Sequence, residues 1–517
     1  MGAIIQRMRN QDKYPTRLPA HERAALLAPA RRERLGEMLV LHLAGKPYAL
    51  GLQHGVLARA EILRFRRDAY RYLGGEVARL LGLPRALARL IARPLLLAQA
   101  RAFVPFIPQQ YLEEMRGLAD GVGVPLLEAV LINVIWELYL GSGCSEFAVR
   151  GRRTADGALL HGYNYDLLDP AQAFINPYLA LICYRPAGGA PFAQLNMLGS
   201  VGVNAGMSAR GISVAWDNTI ARAGATLLRG APRRCTPFVI ALRDLLEHAD
   251  SIDAAVATLR RHLPRPTADS IIVGEAAGNR AVALETIGST LAAREMHDDA
   301  VWSANSFVSP ITAPDDRPGP PGGRPGESGN SQGRYSAYAE LLAQPRPLGV
   351  ADAVAILRDP YPRERYGYIQ PPERLRTICR PITSFSMVMQ PASGRMWLAE
   401  PRVPASQGRF LGFGLESMAA LAEPPVPASG MAAAARAYRH YAGGWHAEAL
   451  AALEQALALD GASAPLHLML AQVYRALRQP ERAAEQAALA RAAGARPGQR
   501  MPFPSAIDPL AYLEVEP

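Results

Sequence analysis

The sequence contains little cysteine, little lysine and no long uninterrupted hydrophobic stretch, and each shortage excludes a class of protein. Its four cysteines stand far apart without any Cys-x-x-Cys spacing, which argues against a disulfide framework and against a zinc site. The formal net charge is +10, but arginine greatly outnumbers lysine and is spread along the whole chain. The sequence shows no basic patch with interleaved aromatic residues, so a nucleic-acid partner is not expected.

The sequence also shows no feature of export or membrane insertion. Residues 1–35 are polar, charged and dotted with proline, unlike a secretory signal. The most apolar region, 77–106, is interrupted by five arginines that a membrane-spanning helix could not hold cheaply. We therefore expect no transmembrane segment and a cytoplasmic protein. Helices packed on a sheet or on one another fit 77–106 best, and an amphipathic helix on a membrane surface remains an open alternative.

What the sequence does contain is an ordinary globular composition. At 517 residues, with 49% hydrophobic and 20% charged residues, it is long enough for more than one domain. Residues 36–52 suggest strands, 56–140 carry helical periodicity, and many short strand patterns follow between 144 and 400. Residues 311–333 are rich in proline and glycine and predict an exposed loop. Strand runs with two clusters of helices indicate stacked sheets with helices outside.

The composition becomes rich in alanine after a proline-containing stretch, 424–430, which is predicted to be a linker. Four alanine-rich helices are predicted, at 431–442, 445–459, 464–477 and 481–493. Ala437 matches Ala471 and Ala449 matches Ala483, both at an offset of 34, a period that resembles a pair of tetratricopeptide repeats. Two such repeats usually need a neighbour to be stable. A helical appendage packed on the main domain is the alternative.

The stretch from Gly141 to Phe147 stands where predicted helix gives way to predicted strand. A turn with Asp156-Gly157 as its strongest element joins it to a returning strand over 158–166. Folding this hairpin about Thr154 pairs position 144 with position 164, and a tighter turn would slide the register toward Asp166. Strand alternation would then place Cys144, Asn164 and Asp166 on one face, with His161 on the opposite face.

The sequence is compatible with two roles for Cys144, a buried core residue or a reactive residue after a cleavable bond. A cysteine near a strand is often a small buried hydrophobe. The glycines at 141 and 143 favour the other reading, because a backbone without Cβ atoms suits a strained or cleavable bond. Cleavage between Gly143 and Cys144 would free an α-amino group with a pKa of about 7.7–8.0, close to what a general base needs at neutral pH. One residue would then supply both nucleophile and base.

A series of motifs, in order, resembles the acyl-coenzyme A:6-aminopenicillanic acid acyltransferase family. These proteins are self-processing N-terminal nucleophile hydrolases related to choloylglycine hydrolases. The matching segments lie at 51–55, 118–124, 142–148, 156–157, 162–166, 210–215, 303–306 and 333–335, and the resemblance covers roughly 36–405. It implies an α+β fold: a four-layer αββα sandwich with a helical prosegment, cleaved into two chains that stay together. The implied domains are a prosegment (1–143), a catalytic domain (144–423), the linker (424–430), the repeats (431–494) and a tail (495–517).

The resemblance also implies roles for individual residues. Cys144 matches the nucleophile, Asp166 the carboxylate that orients the new amino group, and Asn305 the oxyanion-hole side chain. Arg334 matches an arginine that supports the nucleophile, and Asn218 loosely matches a second polar site residue. The purely structural alternatives are that Asn218 is a turn residue and that Arg334 is a surface helix cap. No metal and no cofactor are implied.

Two further hairpin residues complete the predicted site. Bile-salt hydrolases carry an arginine where this chain has Tyr163, so the role of that arginine cannot be transferred, and the acyltransferase/amidohydrolase branch is favoured. Tyr163 and Asn164 are candidate substrate-binding or oxyanion residues, although Asn164 could merely satisfy the hairpin backbone.

The function implied is cleavage of a small-molecule amide, or transfer of its acyl group, through an acyl-Cys144 thioester. The expected partner is an acyl amide or another acyl donor such as acyl-coenzyme A, with protein contacts or self-association through the repeats. Two alternatives stay open: a phospholipase B-like lipid or ester hydrolase on the same fold, and a non-catalytic scaffold that recruits partners through its repeats.

Overall fold

The structure is a computed structural model that describes residues 18–138, 142–167, 175–219, 235–315, 327–344, 346–359, 378–380, 382–401, 404–461 and 464–493. Gly141, residues 316–326 of the predicted loop and the carboxy-terminal tail (495–517) lie outside these residues.

The amino-terminal part forms a strand pair followed by helices. Its elements are α1 (Ala20–Leu27), β1 (Arg31–Leu35), β2 (Met38–Gly45), α2 (Pro47–Leu57), α3 (Arg59–Leu81), α4 (Arg85–Phe103), α5 (Gln109–Val122) and α6 (Leu126–Leu138). The predicted strand over 36–52 therefore ends early, because Pro47 at the first position of α2 favours a helix start. The helical prediction for 56–140 is confirmed as far as residue 138, with the helix breaks shifted, and residues 139–140 lie outside the described residues.

The first sheet contains nine strands among the described residues. It runs β1-β2-β5-β6-β7-β8-β9-β10-β11, with β2 and β5 parallel and the other neighbours antiparallel. Its later strands are β5 (Leu179–Pro186), β6 (Phe192–Met197), β7 (Ala205–Ser208), β8 (Ile212–Thr219), β9 (Arg265–Glu275), β10 (Arg280–Gly288) and β11 (Thr290–Glu295). The prosegment strands β1 and β2 are thus part of this sheet, so cleavage after residue 143 would leave the two fragments hydrogen-bonded to each other.

The second sheet contains seven strands among the described residues, in the order β12-β3-β4-β13-β14-β15-β16. They are β3 (Ser142–Val149), β4 (Leu160–Leu167), β12 (Ala300–Ala304), β13 (Thr383–Gln390), β14 (Arg395–Ala399), β15 (Phe410–Gly414) and β16 (Ala419–Ala420). All their pairings are antiparallel.

The two sheets stack face to face with helices outside. Strand β3 packs on β8 and β9, and β12 packs on β9 and β10. Helices α7 (Phe238–His248) and α8 (Ile252–Arg261) cover the nine-stranded sheet, together with the prosegment helices, and α9 (Glu327–Leu342) and α10 (Val350–Leu357) cover the seven-stranded sheet. The predicted four-layer αββα fold is confirmed. The predicted loop over 311–333 was wrong for its last residues, because α9 begins at Glu327.

The carboxy-terminal part forms four helices with a core of their own. They are α11 (Met431–Ala442), α12 (His446–Asp460), α13 (Ala464–Ala476) and α14 (Pro480–Ala492). The matched alanines 437, 449, 471 and 483 are all buried, and the helices pack in consecutive pairs. The stretch before them packs against the two-sheet part of the chain, since Val426 bridges to Phe410 and Arg358 donates to the carbonyl of Pro427 at 2.6 Å. The assignment to tetratricopeptide repeats stays a prediction.

Within the described residues, no single helix has both the length and the apolar composition to cross a membrane. Residues Gln109–Val122 and Leu126–Ile135 reach that composition only as a pair bent by 115°, and both contribute to the main hydrophobic core.

Candidate active site

The β3–β4 hairpin pairs Cys144 with Tyr165, one residue away from the predicted partner Asn164. The last pair is Val149 with Leu160, so the connection contains an even number of residues and its centre falls between 154 and 155. A 3₁₀ turn at Gly151–Arg153 and Gly157, with φ of 76°, shape this connection. The predicted pivot on Thr154 was therefore wrong by half a residue, which is enough to shift the pairing by one.

Cys144 consequently lies on the face of the hairpin that carries Tyr163 and His161. This face looks toward the nine-stranded sheet, because His161 Nδ1 lies 3.1 Å from Ser213 Oγ. The expectation that His161 points to the opposite face from the thiol was wrong. His161 is nevertheless no partner for the thiol, since its Nε2 lies 3.0 Å from Glu146 Oε2.

Asn164 and Asp166 lie on the other face of β4. Asn164 Nδ2 donates to the carbonyl of Leu357 in α10 at 2.8 Å, so this face looks toward the helices. The prediction that Cys144, Asn164 and Asp166 share one face was wrong, because a one-residue slip exchanges the faces of a strand.

Asn305 and Arg334 hold the backbone of Cys144. The Cys144 N–H donates to Asn305 Oδ1 at 2.8 Å, and the Arg334 guanidinium donates to the Cys144 carbonyl and, at 2.7 Å, to Asn305 Oδ1. Two donors therefore fix the orientation of the Asn305 amide. Its Nδ2 donates to the carbonyl of Asn218 at 2.5 Å, which leaves its second N–H for another acceptor.

Arg334 reaches this position from inside α9 and is 1% exposed. The alternative of a surface helix cap is therefore wrong. Burial, with the nearby Arg380 guanidinium, lowers the pKa of Arg334. The compensating partners are the carboxyls of Asp166 and Asp217, so a buried cation stands among acidic groups beside the predicted scissile bond.

Asp166 lies beside Gly143 in the hairpin pairing. Thr383 Oγ1 donates to Asp166 Oδ1 at 2.7 Å, and Arg380 Nη1 lies 3.6 Å from Asp166 Oδ2. Burial raises the pKa of Asp166, and Arg380 and Arg334 oppose that rise. Gly143 accommodates this arrangement, because a Cβ there would stand 2.3 Å from Arg380 Nη1.

The remaining predicted residues are buried close to this centre. Tyr163 donates from its hydroxyl to the carbonyl of Trp216 at 2.6 Å, and it lies close enough to the Cys144 thiol to lower the pKa of that thiol. Asn218 offers its carbonyl to Asn305, whereas both polar atoms of its side chain are buried without a hydrogen-bond partner. Because Asn218 follows Asp217 in β8, its side chain points away from the second sheet.

The Cys144 thiol is fully buried in the intact chain. Burial raises its pKa well above the usual value, and the charges of Asp217 and then Asp166 raise it further. The thiol is therefore protonated at neutral pH, and any attack by its sulfur requires a nearby base. All four cysteines, which lie within the described residues, are buried free thiols.

Sequence reasoning missed Asp217 and Arg380. Asp217 stands in a fully buried strand, Ile212–Thr219, where a lone carboxyl in an apolar run is itself a signal. No local signal marks Arg380, which reaches Asp166 from a distant segment.

The predicted prosegment is tied to the rest of the chain close to the predicted cleavage point. Glu137, in the last turn of α6, accepts from Arg265 Nη2 at 3.0 Å and from the N–H of Phe238. This contact joins the end of α6 to β9 and α7, so the chain enters β3 from a fixed point.

Residues 152–402 match the family model described as "Acyl-coenzyme A:6-aminopenicillanic acid acyl-transferase". This part of the chain is therefore similar to that family. The predicted resemblance is thus confirmed, apart from the repeats, which the family model does not include.

Curated relatives match over parts of their length. An uncharacterized protein of Archaeoglobus fulgidus is 27% identical over 242 residues, covering 42% of this chain and 38% of its own. Protein dcd1B of Dictyostelium discoideum is 27% identical over 270 residues, covering 48% and 50%. N-acylethanolamine-hydrolyzing acid amidase of Mus musculus is 24% identical over 165 residues, covering 30% and 41%. This chain thus spans half or less of each relative.

Solved structures with similarity include the Caenorhabditis elegans N-acylethanolamine-hydrolyzing acid amidase ortholog. It is 17% identical with a TM-score of 0.34, over 48% of this chain and 93% of that chain. Penicillin V acylase from Agrobacterium tumefaciens is 11% identical with a TM-score of 0.27, over 54% of this chain and 80% of that chain.

Proposed function

We propose that this protein is a self-activating N-terminal nucleophile enzyme that hydrolyses an acyl amide or transfers its acyl group through Cys144. The observation that carries the proposal is the set of contacts around the Gly143–Cys144 bond. Asn305 holds the nitrogen side of that bond and Arg334 the carbonyl of Cys144. The residue that would become the new amino terminus is thus positioned before any cleavage.

Cleavage has a structural consequence that favours this order of events. The Cys144 thiol is fully buried while Gly143 is attached, so a substrate gains access only after the segment before Cys144 moves. Strands β1 and β2 and the contacts of Glu137 keep the prosegment bound. We infer that only the residues next to the cut rearrange.

After cleavage the residues of the site divide the chemistry. The free amino group of Cys144 accepts the thiol proton, and the carboxylate of Asp166 orients that amino group. The sulfur attacks the substrate carbonyl, and the second N–H of Asn305 stabilises the oxyanion. The amine leaves with the proton, and water or another acceptor releases the acyl group from the Cys144 thioester.

An acyl amide is the substrate class to test first. The family description names an acyltransferase, and the mouse relative is named as an amidase of N-acylethanolamines. Both names favour an amide with an acyl chain as the substrate. The experiment compares aminomethylcoumarin amides and p-nitrophenyl esters of acyl chains from acetyl to palmitoyl. Hydroxylamine added as a competing acceptor should divert product to the acyl hydroxamate if a thioester forms.

The controls separate the nucleophile from an ordinary cysteine. Cys144→Ala should abolish turnover and hydroxamate formation, whereas Cys183→Ala, at another buried thiol, should leave both unchanged. Turnover by Cys144→Ala protein would exclude the proposed nucleophile. Hydrolysis of the esters alone would favour the lipid or ester hydrolase alternative.

A further inference from the structure

Asp217 is a buried carboxyl without the contacts that usually accompany one. Its side chain is fully buried, and within the described residues neither oxygen has a hydrogen-bond partner. An unpaired buried carboxylate is costly. Burial accordingly raises the pKa of Asp217 to about 8, opposed by the Arg334 guanidinium and the Ser303 hydroxyl. A buried carboxyl that lowers the stability of the fold calls for a functional explanation.

Strand geometry directs Asp217 toward the thiol. Ser213, in the same strand, contacts His161 across the sheet interface, and side chains an even number of residues apart share a face. Asp217 therefore points between the sheets, onto the hairpin face that carries Cys144. The adjacent backbone is fixed there by the bond from Tyr163 to the carbonyl of Trp216.

The effect of neighbouring charges on the Cys144 thiol agrees with this strand geometry. Among neighbouring charges, Asp217 raises the pKa of Cys144 more than Asp166 does. Asp166 is also committed elsewhere, to Thr383 and Arg380. The Ser303 hydroxyl lies near enough to Asp217 to lower its pKa, but neither Asp217 oxygen has a hydrogen bond of ordinary geometry within the described residues, whereas Asp166 accepts one from Thr383.

The remaining groups around Asp217 come from several elements. The titratable, polar or charged side chains that interact with it or face it are Cys144 and Glu146 from β3, Tyr163 and Asp166 from β4, Ser303 from β12, and Arg334 and Tyr338 from α9. Two members of this set already have hydrogen-bond partners. Glu146 pairs with His161, and the Tyr163 hydroxyl donates to the carbonyl of Trp216. Asp217 is thus an acidic group on the thiol side whose contact with a donor, the Ser303 hydroxyl, falls short of an ordinary hydrogen bond among the described residues.

We propose that Asp217 carries the proton of the Cys144 thiol to the Cys144 nitrogen during cleavage of the Gly143–Cys144 bond. This inference rests on the proposed self-cleavage. The Asp217 carboxylate takes the thiol proton, and the sulfur forms a bond to the Gly143 carbonyl carbon. The Gly143–Cys144 C–N bond breaks, and the carboxyl returns the proton to the departing nitrogen. Water then hydrolyses the thioester, giving the Gly143 carboxylate and restoring the thiol.

This assignment separates two stages that share one nucleophile. Before cleavage Cys144 has no free amino group, so the base must come from elsewhere. After cleavage the α-amino group takes over, and Asp217 is no longer needed for the proton.

The test follows cleavage of full-length protein made by cell-free translation, by intact mass against time and pH. The variants are Asp217→Asn, Asp217→Glu and the control Asp269→Asn, at a buried carboxyl of the neighbouring strand that bonds to Trp216 Nε1 at 2.9 Å. Asp217→Asn should slow cleavage by about 10²-fold or more, the usual size of a general-base effect. Asp217→Glu should restore part of the rate, and Asp269→Asn should cleave as wild type does.

The pH profile distinguishes a proton carrier from a structural residue. Because the carboxylate is the active form, wild-type cleavage should accelerate as pH rises toward about 8 and then level off. Asp217→Asn should lose that rise. Wild-type cleavage with an unaffected Asp217→Asn would overturn this inference and leave the proposed function standing, whereas an uncut wild type would overturn the proposed function itself. If Asp217→Asn does not fold, a wild-type rate that is flat over this pH range refutes the proton transfer.

Discussion

Substitution of Asn305 offers a sharp test of the catalytic arrangement, because two variants remove different parts of one side chain. Asn305→Ala removes both the acceptor and the donor. Asn305→Asp keeps an oxygen that can accept from the Cys144 N–H and from Arg334, but it has no N–H to donate. The comparison therefore isolates donation from positioning.

The structure sets the expected magnitudes. Asn305→Ala leaves three buried groups without their partner: the Cys144 N–H, an Arg334 N–H and the Asn218 carbonyl. Each such loss costs about 1–3 kcal/mol, so the free energy of unfolding should fall clearly. Asn305→Asp leaves only the Asn218 carbonyl unpaired and adds an ion pair with Arg334, so it should lose less stability than Asn305→Ala. Both variants lose the oxyanion donor, which costs about 10²–10³ in kcat.

The assay measures kcat with an acyl coumarin amide, on protein whose cleavage has first been verified by intact mass, and follows urea denaturation of the same samples. We expect both variants to be slow and only Asn305→Ala to be strongly destabilised. A cleaved Asn305→Asp protein with wild-type kcat would refute the oxyanion role. Equal destabilisation of the two variants would refute the assigned contacts.

Three further predictions concern stability and domain organisation. The pKa of Asp217 is raised to about 8, so the folded chain binds this proton more tightly than the unfolded chain does. The stability that the bound proton contributes is therefore fully present below about pH 4 and is lost as the pH rises toward 8. Thermal denaturation should therefore show Asp217→Asn gaining stability over wild type with rising pH, and a pH-independent difference would contradict this. A Cβ on Gly117 in α5 would stand 2.0 Å from the carbonyl oxygen of Tyr48 in α2, so Gly117→Ala should cost about 1–3 kcal/mol or more in urea denaturation. Gly75→Ala, with no atom within 4 Å of the new Cβ, should gain about 0.5–1 kcal/mol, and equal effects would refute the close packing of α2 on α5. Protein ending after Gly430 should still cleave before Cys144, measured by intact mass, and a soluble but uncut truncated chain would mean that the helices α11–α14 complete the catalytic fold.

The sequence was sufficient for the layers of the fold, and three of the predicted site residues contact one another in the structure. Order and spacing of motifs placed Cys144, Asn305 and Arg334 in one family pattern, and the structure brings these three residues into direct contact. Helix periodicity predicted the helical region that follows the first strands, because apolar spacing is a local property.

The details that depend on distant contacts could not be obtained in this way. The hairpin register changes with a single residue in the connection between β3 and β4, and that residue determines which face carries Asp166. The start of α9 at Glu327 was hidden by a composition typical of loops. Arg380 meets the site through tertiary packing, which no local pattern encodes, and the lone carboxyl of Asp217 in an apolar strand does not by itself indicate which residues it faces.

The most direct test of the central claim is the intact mass of freshly purified full-length protein, beside Cys144→Ala. Self-cleavage predicts two fragments from the wild type, residues 1–143 and 144–517, that together exceed the mass of the chain by one water and elute together under native conditions. Cys144→Ala should remain a single chain. An uncut wild-type chain that hydrolyses acyl amides, or cleavage that persists in Cys144→Ala, would exclude self-activation by Cys144.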